Sequence, residues 1–151
     1  MATANAITSA DYNIEYSANG TTGWASWNSF IQEINPSGGD VEAVEFRAFG
    51  DDIPDILSGK TGTQKANLKV IYTEAAAEPG DILYTAQTTK IAVYLRVSPK
   101  GGQTGEQQFT SSRMFVTSGA AFPPAARADG NEVVTADVSV VFKSWTKADA
   151  T

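Results

Sequence analysis

The sequence predicts an all-β fold with one short helix and long loops, and three observations carry that reading. Runs in which β-branched and aromatic residues alternate with polar ones recur along the chain. Clusters of Gly, Pro, Asn and Asp separate these runs. Only one stretch sets apolar residues at helical spacing behind an acidic, Pro-containing start.

In chain order, Tyr12, Ile14 and Tyr16 alternate with Asn13 and Glu15, and Asn19-Gly20 follows as a tight-turn signal. Residues 24–34 fit two patterns. Trp27, Phe30, Ile31 and Ile34 have helical spacing, whereas Trp24, Ser26 and Asn28 suit a strand, and strand or irregular structure is the expectation. Residues 41–49 alternate but carry charge on both faces. Leu68, Val70 and Tyr72 alternate with Asn67, Lys69 and Ile71. Glu78-Pro79-Gly80-Asp81 then opens a helix, suiting both the fixed proline φ and the helix dipole. Ile82, Leu83 and Ala86 give it an apolar stripe, and it ends near Thr89. Ile91, Val93, Leu95 and Val97 share a strand face, Met114 to Thr117 is a short strand, and 133–145 is the longest strand-like stretch. Three stretches read as long loops: Gly50 to Gln64, Pro99 to Thr110 and Gly119 to Asn131. Each exceeds the usual connection of about 4–6 residues, so each needs a purpose beyond closing a hairpin.

Composition narrows the function. At 151 residues the chain is one domain, with residues 1–10 expected as a flexible arm, 11–146 as the domain and 147–151 as a tail. Met1 to Asp11 lacks a positive region and an apolar core, so no signal peptide is expected, and no run approaches a membrane span. Synthesis in a cytoplasm follows as the expectation. The chain has neither cysteine nor histidine. That removes disulfides, zinc sites built on those residues, thiol nucleophiles and the commonest general base. A net charge of −6 argues against gripping nucleic acid by its phosphates.

Individual motifs do not assemble a catalytic or cofactor site. Ser58-Gly59-Lys60-Thr61-Gly62 looks like the end of a phosphate-binding loop, but Pro54 stands where that loop needs glycine, and a strand follows where it needs a helix. Asp51, Asp52 and Asp55 lack the spacing of an EF-hand and read as solvated turn residues. Glu42 and Glu45 fall on opposite faces of a strand, a poor acid/base pair. Tyr12, Tyr16, Trp24, Trp27 and Phe30 would make a sugar-stacking platform if exposed, but aromatics this dense belong more often to a core or interface. No enzyme activity and no cofactor are expected.

The order of features resembles the tail tube (major tail) proteins of long-tailed bacteriophages, the siphophages. It runs from an aromatic N-terminal segment through strand 41–49 and a long Gly/Asp loop to Lys65-Ala66-Asn67-Leu68-Lys69-Val70-Ile71-Tyr72-Thr73-Glu74. The helix with Ile82-Leu83, the strand closing on Pro99, and Asp137-Val138-Ser139-Val140-Val141-Phe142-Lys143-Ser144-Trp145 complete it. The resemblance spans nearly the whole chain and rests on pattern and order, without a unique motif.

It implies a β-sandwich flanked by one helix, closing into a barrel as copies form hexameric rings stacked into a tube. The implied location is the virion. The implied partners are other copies of the chain, tape measure, terminator and distal tail proteins, and DNA passing without specific binding; no membrane is involved. A tube of a related contractile injection machine, a carbohydrate-binding β-sandwich and a head-decoration protein are the alternatives. Within the 50–64 loop, apolar Ile53, Ile56 and Leu57 with charged Asp51, Asp52 and Lys60 form the expected subunit interface. A free solvated loop has no need of those apolar residues.

Overall fold

The computed structural model describes residues 7, 9–50, 52–117, 122–124, 130 and 133–151. Asp51, most of the expected arm and most of the expected 119–131 loop lie outside the described residues. The strands are β1 (Asn13–Ser17), β2 (Ala25–Ser26), β3 (Ile31–Gly38), β4 (Val41–Phe46), β5 (Asp55–Thr61) and β6 (Gln64–Ile71). After helix α1 (Pro79–Thr89) come β7 (Tyr94–Ser98), β8 (Gln107–Ser111), β9 (Phe115–Val116), β10 (Thr135–Phe142) and β11 (Trp145–Asp149). Among the described residues the fold is all-β with one α-helix, as the periodicity predicts, and a single 3-10 turn (Ser9–Asp11) precedes β1.

Two antiparallel sheets carry the core. The first has the order β11-β8-β7-β1-β2 and the second β3-β6-β10-β9. In β6 and β10 every second side chain is buried: Ala66, Leu68 and Val70 from one, Ala136, Val138, Val140 and Phe142 from the other. These meet Ile14, Val93 and Leu95 on the first sheet's side in a single apolar cluster. Helix α1 adds Leu83 and Ala86 to the same cluster, the i, i+3 stripe of its sequence. Lys90 ends the helix in a left-handed conformation at φ 59°.

The segment that fits both patterns resolves to short strand, turn and strand, and its aromatics pack. Trp27 is buried, its backbone N–H donates to the Ile14 carbonyl at 2.9 Å, and its ring stacks on Tyr16 with centroids 4.6 Å apart. Trp24 lies under the Arg96 guanidinium, 4.4 Å from its ring centroid. Arg96 in turn forms a two-pronged ion pair with Glu15, its partner across β1 and β7, at 2.9 and 3.2 Å. The Asn19-Gly20 signal is realised as a side-chain-directed turn. Asn19 Oδ1 accepts from the backbone N–H groups of Thr21 and Thr22, both at 2.9 Å.

Several sequence boundaries differ from expectation, among them the 133–145 stretch, which divides into β10 and, in the other sheet, β11. Residues 147–149, expected as tail, continue β11 and pair with Gln107 to Phe109, and Ala150 is buried. β8 forms inside the expected 99–110 loop, and β5 inside the expected 50–64 loop. β8, β11 and β5 face the core with few side chains or none, so they lack the alternation that marks a half-buried strand.

Burial pushes the phenols of Tyr12 and Tyr16 above the ordinary tyrosine range. The folded chain therefore holds these protons to higher pH than the unfolded chain. The associated stability is complete below about pH 10 and is lost as pH rises through the folded-state value. Thermal melts between about pH 8 and 11 should show this decline, and Tyr16→Phe, which keeps the stack on Trp27, should make it shallower. An undiminished slope in that variant would refute a role for Tyr16.

Candidate assembly surface

The strands β3 and β6, paired from Ile31↔Val70 to Gly38↔Gln64, continue beyond the sandwich as β4 and β5. The ladder is kept across the joint. Gly39 N–H donates to the Thr63 carbonyl and Gly62 N–H to the Asp40 carbonyl, each at 2.9 Å. Gly38 and Gly39 turn the chain here with φ of 76° and 73°. A Cβ on Gly38 would lie 2.5 Å from the Thr63 carbonyl oxygen, so this joint requires glycine sterically as well as conformationally.

Past the joint the ribbon has no core behind it. Every residue of β4 is exposed, and all of β5 except Gly59. Val44 and Phe46 share a face with Leu57, the cross-strand partner of Val44, while Ile56, paired with Glu45, lies on the other face. Ile53 is 80% exposed, Ile56 65% and Leu57 58%, and Phe49 is fully exposed. Of the twelve large apolar side chains that are exposed among the described residues, seven lie between Val41 and Leu57. The exposed apolar residues are thus concentrated on one element and not scattered singly over the surface.

The structure places Asp52, Ile53, Ile56, Leu57 and Lys60 together on this hairpin; Asp51 is outside the described residues. Ile56 and Leu57 do not plug the domain's own core. The sequence reading missed Val41, Val44, Phe46 and Phe49 as members of the same surface. The signal was present, since the mixed-face strand 41–49 and the apolar 50–64 segment are the two halves of one hairpin. Gly59, Lys60 and Thr61 lie in β5 or at its end, and β6 follows directly, so no helix N-terminus faces them. Among the described residues no group of three acidic side chains is placed to hold a metal.

A second surface is polar. On the face of the β3-β6-β10 sheet turned away from the core, the pairings align Glu33, Lys69 and Asp137 in one row, and Asn35, Asn67 and Ser139 in the next. The Ser139 hydroxyl donates to Asn67 Oδ1 at 2.7 Å, and Asn35 Nδ2 donates to Glu33 Oε1 at 2.7 Å.

No protein-family model matches the chain, and no curated protein matches it. Solved structures do. A chain of the sheath–tube complex of an extracellular contractile injection system, PVC, in its extended state aligns with a TM-score of 0.68 and 14% identity, covering 97% of this chain and 94% of its own. A chain of the six-fold-symmetrised anti-feeding prophage baseplate aligns with a TM-score of 0.68 and 12% identity, covering 100% and 99%. A chain from the tail of an empty gene transfer agent particle, refined with C6 symmetry, aligns with a TM-score of 0.64 and 11% identity, covering 97% and 100%. This chain thus has the fold of components of phage-tail-like assemblies. That is a wider group than the siphophage tubes its sequence resembles.

Leu57→Ala should change the unfolding free energy of the dilute single chain by no more than about 0.5 kcal/mol. Leu68→Ala, in the centre of the second sheet, should cost about 2–5 kcal/mol. Chemical denaturation compares them directly. A Leu57 cost equal to that of Leu68 would mean that the hairpin packs on its own domain.

Proposed function

We propose that this protein is the tube subunit of a phage-tail-like particle. Copies join into rings, the rings stack, and the tube conducts DNA. The observation that carries this reading is the β4–β5 hairpin, apolar on both faces and backed by no core. An isolated two-stranded ribbon is at best marginally stable in water, so a hairpin of this kind acquires its order by packing on another subunit. Asp51, Asp52, Ile53, Ile56, Leu57 and Lys60 form part of that interface, with the apolar residues supplying burial and the charges supplying register.

The six-fold symmetry of two particles with similarly folded chains supports a hexameric ring. Closing the two sheets of each copy into a shared barrel would leave them without open edges. The polar face of β3, β6 and β10 lines the channel in this reading, because its rows offset acids against Lys69 and present amides and a hydroxyl that do not grip phosphate. The subunit is then a virion component. It meets tape measure, terminator and distal tail proteins at the tube ends, and the unit that packs runs from residue 11 through β11 to Ala150. Similarity to chains of PVC and the anti-feeding prophage favours the tube of a contractile injection machine as the second reading. Both readings make the protein structural and not an enzyme.

Negative-stain microscopy of the concentrated protein should show rings or open tubes. Replacing 41–61 by a tight turn at the glycine joint should leave a folded chain, with its sheet signal in circular dichroism intact, that no longer assembles. Wild-type protein that scatters light as a monomer at every concentration would refute the reading.

Binding to duplex DNA should be undetectable at physiological salt, because an acidic chain releases few phosphate counterions. Titration by fluorescence anisotropy checks this, and sub-micromolar affinity with a steep salt slope would rule out a passive conduit.

A further inference from the structure

At the foot of the hairpin lies a cleft of about 400 Å³, formed where Thr61, Gly62 and Thr63 pass β9 and the end of β10. Phe142 and Val141 contribute apolar surface to it, and exposed Phe115 does the same beside them. Two exposed cations, Arg113 and Lys143, lie at this cleft, and its lining contains no acid. Arg113 rests over the Phe115 ring at 5.6 Å.

The hairpin is the complement of this cleft in both respects. Its exposed tip is apolar through Phe46, Phe49, Ile53 and Ile56. Between Asp40 and Lys60 the sequence has six acidic residues against two basic ones. A chain cannot satisfy its own cleft. The pair Phe46↔Asp55 stands five residues up the ribbon from Val41↔Thr61, about 17 Å at the strand rise of about 3.4 Å per residue. A paired ribbon does not fold back on its own foot over that distance.

We infer that the cleft receives the hairpin tip of a second copy of this chain; this rests on the self-assembly proposed above and identifies the acceptor side of the contact. Ile53 and its apolar neighbours enter against Phe115 and Val141, while Asp52 and Asp55 approach Arg113 and Lys143 at the rim. Each copy then carries one donor and one acceptor on different surfaces. Such a contact is heterologous and continues from copy to copy until a ring closes.

The absence of cysteine allows a clean cross-linking test. Ile53→Cys and Phe115→Cys are made in separate chains, mixed and oxidised. Disulfide-linked dimers of unlike variants should exceed those from either variant alone severalfold. In parallel, Arg113→Glu with Lys143→Glu should raise the protein concentration needed for assembly at least about tenfold, through like-charge opposition. Adding Asp52→Lys and Asp55→Lys to that same chain should restore assembly, with circular dichroism confirming that all variants fold. If the wild type assembles while unlike cross-links do not exceed like ones, or while the charge reversal has no effect, the cleft is not the acceptor and only this inference falls. A wild type that never leaves the monomeric state would overturn the tube reading and this inference together.

Discussion

A β-ribbon satisfies its backbone within itself but cannot bury its side chains by itself, and this separation governs the molecule. From Ile31↔Val70 to Phe46↔Asp55 the two strands run as one ladder, with hydrogen bonds across the glycine joint. Over its first half, one face lies on the cluster around Leu68 and Val140. Over its second half, neither face lies on anything. The backbone therefore permits the ribbon to extend past the sandwich, and the side chains, at about 25 cal/mol for each Å² of apolar area, favour covering what extends.

The rest of the domain anchors this projection. Strands β1 and β7 of one sheet, β3, β6, β9 and β10 of the other, and the helix contribute to one cluster, whose largest side chains are almost completely enclosed. The helix stripe and the stacked Tyr16 and Trp27 belong to or pack against that cluster. No described element needs the hairpin for its own packing. For that reason the hairpin can be altered without disturbing the scaffold that positions it.

The fold was legible where burial leaves a period. Leu68 and Val70, Val138 and Val140, and the helix pair Leu83 and Ala86 were read correctly because each faces the core at a fixed interval. β5, β8 and β11 were not recognised, or were merged into loop and tail, because a strand that buries few side chains has no alternation to reveal it. The candidate surface was half legible. Ile53, Ile56 and Leu57 stood out as apolar residues in an apparent loop, and strand 41–49 stood out for its mixed faces, but only the pairing shows that the two are halves of one hairpin. The cleft with Arg113 and Lys143 has no counterpart in linear order, since its walls come from three separate segments.

The joint at Gly38 and Gly39 divides one ladder into two regimes of amide exchange. In β6 and β10, an amide exchanges only when a strand leaves a packed sheet, an opening that exposes apolar core. In β4 and β5, separating two strands exposes almost nothing that was hidden, so those protons exchange at far lower cost in free energy. Amides either side of Thr63, both within paired strands, should therefore differ in protection. The free energy of opening follows what lies behind a hydrogen bond more than the bond itself.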